Sequence, residues 1–197
     1  IMNSALADIG MTITQPLFNL ALILIATRFL AQLCGVSGYN PISIAVRRVT
    51  DPVVKPFSTL IPSGNRFNAG GLVALILCQV LFIAIMLSLI GRFEAFNILQ
   101  ALIWSALGAT GLLVSIIFYS VLAIIIVSFL APQSAHPAVE FIWQLTEPVM
   151  SPLRQVLPPM GGLDFSPIIL FIGINVIRVS LGHMAVAVSL PNFVIGI

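Results

Sequence analysis

The chain has 197 residues, of which 59% are hydrophobic and only 7% charged, with a mean hydropathy of +1.15. Soluble domains typically carry about 25% charged residues. The 8 basic and 6 acidic residues here cannot clothe a water-facing surface, which excludes an ordinary soluble domain and makes a bilayer the natural solvent. A net charge of +2 is too small to argue for nucleic acid, so the basic residues read better as orientation signals.

The first residues, IMNSALADIGMTITQ, carry no basic n-region, and no small-residue cleavage pattern follows them. The first span is therefore expected to act as its own uncleaved targeting signal. A spanning helix needs about 20 mostly apolar residues, and four segments qualify: 16–35, 71–90, 111–130 and 167–187. Pro16 and Pro167 suit the first turn of a helix, where the missing N–H costs nothing, and Gly35 and Gly91 suit helix ends. Weaker apolar stretches, Asn3–Met11 and Glu94–Leu107, precede the first and third spans. In the later one Phe93, Phe96, Leu99, Leu102, Ile103 and Leu107 recur at helical spacing. That pattern predicts a helix lying in the interface with Trp104 near the headgroups; the alternative is that it lengthens the third span. Cys34 and Cys78 sit in apolar runs with neither metal nor disulfide spacing, and read as buried small hydrophobes.

Between the spans the chain repeats itself. Shifted by 96 positions, Pro41, Thr50, Pro52, Val53, Pro56 and Pro62 fall on Pro137, Thr146, Pro148, Val149, Pro152 and Pro158 without a gap, and Asp51 falls on Glu147. The fold class this predicts is an all-α membrane protein of four transmembrane helices in two parallel tandem repeats, residues 1–96 and 97–197. Each repeat carries proline-kinked amphipathic interfacial helices between its two spans. In the first loop Ile42, Ala45, Val46, Val49 and Val53 share one face, with Ser43, Arg47, Arg48 and Thr50 opposite. In the second, Ala138, Phe141, Ile142, Leu145 and Val149 repeat that face. Each piece ends at Thr-acid-Pro, where Asp51 or Thr146 would cap a second short helix and Pro52 or Pro148 would open it. Pro62 and Pro158 would then stop it. With two spans per repeat, both loops emerge on one side. They hold Arg47, Arg48, Lys55, Arg66 and Arg154 against Arg92 opposite, which predicts cytoplasmic loops and periplasmic termini.

Polar residues fall in register inside the membrane: Asn19 with Ser115, Gln32 with Ser128, Gln79 with Asn175. Hydrogen bonding between helices is the plainer reading, contributing about 0.6–2 kcal/mol each. A polar path, as in transporters, is the sharper one. Arg28, Arg178 and His183 break the symmetry, since Ile124, Phe82 and Leu87 occupy their counterparts. Arg28 lies close enough to the cytoplasmic end to snorkel. Arg178 lies too deep, and an intramembrane arginine by default marks a functional or assembly site. No acid lies within the spans, so amides, carbonyls, lipid phosphate or another chain are its expected partners. Arg178, Asn175, Gln79 and Arg28 form the candidate intramembrane polar site. Arg47, Arg48, Lys55, Arg154 and Asp164 are candidate loop contacts for anionic lipid headgroups or a partner. Asp164 or Ser166 would also cap the fourth span. There is no Gly-x-Ser-x-Gly, no Cys-x-x-Cys and no phosphate-binding glycine loop; neither catalysis, a metal nor a cofactor is expected.

The run Pro152-Leu153-Arg154, through Leu157-Pro158 to Gly161-Gly162-Leu163-Asp164-Phe165-Ser166-Pro167, resembles the signature of the YggT (YlmG-like) family of small bacterial and plastid membrane proteins with two tandem repeats. The first copy, from Asn40-Pro41 to Pro62, extends the resemblance over essentially the whole chain. Two departures stand out: the family's paired basics after Pro-Leu are Arg154-Gln155 here, and Ser58-Thr59 in the first copy. The resemblance implies a bacterial inner-membrane protein, with links among members to osmotic-stress tolerance, nucleoid or division organisation, and cytochrome assembly in plastids.

Three functions remain open on these grounds. One is a non-enzymatic structural or assembly factor whose loops hold a partner or anionic headgroups. Another is a small channel or transporter for potassium or an osmolyte. A third, an accessory subunit of a larger membrane complex, would explain an Arg178 with no acid in its own chain. Four spans make a thin bundle, so a homo-oligomer or a membrane-protein partner is expected.

Overall fold

The computed structural model describes residues 2–61, 64, 66–130, 135–156 and 166–196, with side chains from residue 7 onward. Six α-helices follow one another: α1 (Met2–Leu33), α2 (Pro41–Leu60), α3 (Ala69–Leu89), α4 (Ile98–Leu130), α5 (Pro137–Val156) and α6 (Ser166–Ala187). Among the described residues there is no strand. Four helices, α1, α3, α4 and α6, are long and apolar enough to cross a membrane. The proline-bearing α2 and α5 stand between the spans of their repeats, as the fold class anticipates.

Two expectations about the first helix of each repeat need correcting. The stretch before the third span does not lie separately in the interface. From Ile98 it continues into α4, a helix of 33 residues, about 50 Å at 1.5 Å per residue. No proline interrupts it, and the side it turns into the protein is not the apolar stripe: Ala101, Trp104 and Ser105 are buried, while Leu99, Leu102 and Ile103 of the stripe are exposed. The Trp104 indole N–H donates to the Val188 carbonyl at 3.0 Å instead of reaching headgroups. Likewise Pro16 does not open α1 but lies inside it, with the residues from Met2 joined to the span. Both helices exceed the roughly 30 Å hydrocarbon layer and must tilt or protrude.

A third correction concerns the prolines of α2 and α5. Each helix runs unbroken through Pro52 and Pro56, or Pro148 and Pro152, where a pair of short helices is the expectation. A proline removes one N–H and crowds the carbonyl four residues back, yet tertiary packing holds the helix in place. Thr50 and Val54, and their repeat partners Thr146 and Met150, are all buried. The Thr50 hydroxyl donates to the Val46 carbonyl at 2.7 Å and that of Thr146 to the Ile142 carbonyl at 3.1 Å, tying down the turn before the prolines. The Thr-acid-Pro sequence is thus mid-helix and caps nothing. Pro62 and Pro158, the expected stops, lie outside the described residues.

The helix ends follow local chemistry. Asn40 caps α2, its side-chain oxygen accepting from the Ile42 N–H at 2.9 Å, with Pro41 in the first turn. Gly35 and Gly91 take left-handed φ values of 74° and 70°. Gly35 lets the Val36 N–H return to the Ala31 carbonyl, and Gly91 lets the Arg92 N–H return to that of Leu87.

α1 packs on α3 and α4, α3 on α4, and α4 on α6; α2 lies against α1 and α3, and α5 against α4 and α6. Lipid supplies no hydrophobic drive between spanning helices, so close backbone approach and hydrogen bonds carry their association. Gly70 illustrates this: a Cβ there would stand 2.5 Å from the Ser58 Cα, so α2 sits directly on the start of α3. The starts of α2 and α5 also meet. The Asn40 amide donates to the Pro137 carbonyl at 2.9 Å, and the Ser37 N–H to Gln144 Oε1 at 2.7 Å. Both proline-bearing helices therefore lie at the same end of the bundle. At the other end residues 188–196 fold back into it, with Val194 buried against Val80, Ile83 and Trp104.

Candidate functional site

Three polar centres stand out, and helix packing builds each of them. In the first, α2 folds back along α1 so that Asp51 meets Arg28, the arginine inside the first span. The ion pair is 2.8 Å long, with side-chain exposures of 14% for Arg28 and 29% for Asp51. Arg28 also donates to the Thr50 hydroxyl at 3.0 Å. Contrary to the expectation that it snorkels towards water, it turns to an acid of its own chain. Lys55, one turn on from Asp51, completes the centre at 2.9 Å. The Lys55 ammonium, and then the Arg28 guanidinium, hold the Asp51 carboxyl below the usual carboxylate range. Beside this centre Arg47 and Arg48 are exposed.

The same position of α5 is wired differently. Glu147, the counterpart of Asp51, pairs at 2.9 Å with Arg154, seven residues along its own helix. Ile124 occupies the place of Arg28 in the fourth helix and offers no charge. Asp164 lies outside the described residues. Its repeat counterpart Asn68 caps α3, accepting from the Gly71 N–H at 2.8 Å. Asn68 also donates to Gln32 at 3.0 Å and accepts from the Ser58 hydroxyl at 3.2 Å, joining α1, α2 and α3 through one side chain.

The third centre is Arg178, near the middle of α6. Its guanidinium donates to the Ser115 hydroxyl of α4 at 3.0 Å and lies over the Phe118 ring, 4.6 Å from the centroid. A hydroxyl and an aromatic face were not among its expected partners. The ring quadrupole attracts a guanidinium, more strongly where water is scarce. Arg178, Ser115, Gly111, Leu181 and Gly196 line a cavity of about 390 Å³ that opens to one side. At the matching site of the first repeat Phe82 is fully buried, packed on Phe18 and Phe193.

The remaining predicted residues do not converge on Arg178. Gln79 is fully buried between α3 and α4, its amide donating to the Ile195 carbonyl at 2.8 Å and pressed against Gly108. Asn175 is exposed on the outer side of α6. Among the described residues no group of three or more His, Cys, Asp or Glu could hold a metal, and Cys34 and Cys78 are free thiols.

A profile of the CCB3/YggT family matches the chain in two segments, residues 7–92 and 95–185. The chain belongs to the CCB3/YggT family. Its similarity to an uncharacterized protein of Pseudomonas aeruginosa is 33% identity over 181 residues, covering 91% of this chain and 92% of that one. To the uncharacterized protein YggT of Escherichia coli K12 it is 33% identical over 153 residues, 74% of each chain. An uncharacterized protein of Vibrio alginolyticus is 33% identical over 174 residues, 86% of this chain and 91% of its own. No solved structure matches.

The two matched segments of this YggT-family chain each hold one Thr-acid-Pro helix. Sequence reasoning missed two contributors to the polar centres. One is Ser115, which was singled out only as the partner of Asn19. The other is the segment after α6, whose Ile195 carbonyl satisfies Gln79; its apolar run Phe193-Val194-Ile195 after Pro191 is the available signal.

Proposed function

We propose that this YggT-family protein is a non-enzymatic structural or assembly factor of the cytoplasmic membrane, with α2 as its presenting surface. The observation that carries the reading is the outward side of α2. Val49, Val53 and Leu60 are 61%, 42% and 80% exposed on one side, with Arg47 and Arg48 exposed on the same helix. An apolar stripe with basic residues on the other face suits the interface of an anionic membrane, where the stripe enters the acyl boundary and the cations meet phosphate. The Arg28–Asp51 pair supports it by holding that surface in a fixed orientation on the span. The excess of basic residues on the loops favours the cytoplasm for this end, and osmotic stress is the setting in which to seek a phenotype. The test is purification from native membranes in gentle detergent, with the intact mass and components determined. Anionic lipid or a stoichiometric partner should remain bound and should be lost with Arg47→Glu plus Arg48→Glu. Retention undiminished by that pair of changes would refute the reading.

The cavity at Arg178 favours a second reading, a small transporter. A guanidinium beside the cavity repels potassium and attracts a carboxylate-bearing osmolyte. Flux of such an osmolyte into liposomes should then fall on Arg178→Leu, and unchanged flux would remove this reading.

A further inference from the structure

The two repeats do not use their spans equally. Within the chain, the stripe Ile76, Gln79, Val80, Ile83 and Leu87 of α3 is covered by α4 and the segment that follows α6. Val80, Ile83 and Leu87 share one cluster with Ala101 and Trp104, and Gln79 lies against Gly108. Shifted by 96 positions, the same stripe on α6 reads Ile172, Asn175, Val176, Val179 and His183. There it is bare: Ile172, Val176 and Val179 are 59%, 62% and 61% exposed, and Asn175 and His183 are exposed as well.

The element that would cover this stripe by repeat logic is the counterpart of α4, which is α1. Within one molecule α6 packs on α4 and α5 and makes no comparable contact with α1. The relevant side of α1 is bare too. Asp8, Thr12 and Pro16, the counterparts of Trp104, Gly108 and Leu112, are exposed, as are Ile9 and Ile13 at 57% and 56%. In α4 the counterparts of Ile9 and Ile13 are Ser105 and Ala109, both buried.

We propose that the bare stripe of α6 binds the N-terminal half of α1 from a second copy of this chain, repeating between molecules the α3–α4 contact made within one. Two paired changes between the repeats, four residues in all, fit that occupant. The apolar pair Leu87 and Trp104 becomes His183 and Asp8, an imidazole facing a carboxylate. The amide-on-glycine contact of Gln79 and Gly108 becomes Asn175 and Thr12, an amide facing a hydroxyl. Lipid alone would leave the Asn175 amide, nine positions into a spanning helix, without a partner in hydrocarbon. A helix carrying Thr12 supplies one. The contact joins two different surfaces, so it is heterologous and leaves a free α6 and a free α1 at the ends until a ring closes. It concerns the spans and not the loop helices, so its failure would leave the reading of α2 untouched.

The test uses the full chain in membranes with Cys34→Ser and Cys78→Ala removing the native thiols. Differently tagged Thr12→Cys and Asn175→Cys chains are co-expressed and oxidised. A mixed disulfide dimer should dominate over either self-linked dimer, and a chain carrying both changes should give a ladder. Self-linked dimers in equal or greater yield, or no linkage, would overturn the proposal. A second measurement keeps the native cysteines and reads the associated fraction by native mass. Asp8→His alone should weaken association about tenfold, and adding His183→Asp should restore it. A monomer throughout, or an exchanged pair no better than the single change, would also overturn it.

Discussion

The two proline-bearing helices share one sequence motif and are packed differently. In both, the threonine hydroxyl bonds back one turn and the same pair of positions, Thr50 and Val54 or Thr146 and Met150, is buried. They part at the acid and at the outer face. Asp51 reaches across to a span, whereas Glu147 is satisfied within its own helix. Ala45 and Val49 of α2 are exposed, while their counterparts Phe141 and Leu145 in α5 are buried among Leu30, Ala31 and Val36 of the first repeat. Thus α5 fills the seam between repeats and α2 is left outward-facing. The motif specifies a helix; residues far from it decide its use.

Four substitutions would sharpen or break this contrast. The largest effect is expected at the foot of α2. Gly70→Ala would force a Cβ against the Ser58 backbone and should cost about 1–3 kcal/mol, read as a lower melting temperature in detergent. Ser166, the counterpart in α6, already carries a Cβ, so Ser166→Ala should be mild. Next comes Asp51→Asn, which leaves Arg28 without its carboxylate and should cost about 1–2 kcal/mol after screening at this partly exposed site. The same tether has a pH signature. A carboxyl held below its ordinary pKa stabilises fully above about pH 4 and loses that contribution as pH falls further. A melting profile over that acidic window should therefore steepen for the native chain relative to Asp51→Asn. The smallest effect belongs to Glu147→Gln, whose pair with the more exposed Arg154 should contribute about 0–1 kcal/mol. Equal losses at Asp51 and Glu147 would break the contrast.

Much of the architecture was legible in advance. Four apolar segments and the gapless match of Thr50-Asp51-Pro52 to Thr146-Glu147-Pro148 lead to the spans and the two helices between them. Three features were not legible, each because tertiary contact overrides local preference. Pro52 and Pro148 read as helix starts, yet burial of Thr50 and Thr146 carries the helix through them. Trp104 read as a headgroup anchor because amphipathic spacing does not say which side of the helix α3 covers, and α3 covers the side that holds Trp104. Arg28 read as snorkelling because its acid is 23 residues away and meets it only when α2 lies back on α1. Arg178 was legible as unusual, since it replaces Phe82, but its ring and hydroxyl partners depend on how α4 and α6 pack.

The return of residues 188–196 into the bundle bears on how the protein is made. Gln79 enters the membrane with α3, yet the Ile195 carbonyl that receives its amide emerges from the ribosome 116 residues later. An unsatisfied amide in hydrocarbon costs several kcal/mol, so during translation α3 must wait beside water, the insertion machinery or a provisional partner. The first repeat can therefore reach its final hydrogen bonding only after the second has been synthesised and inserted.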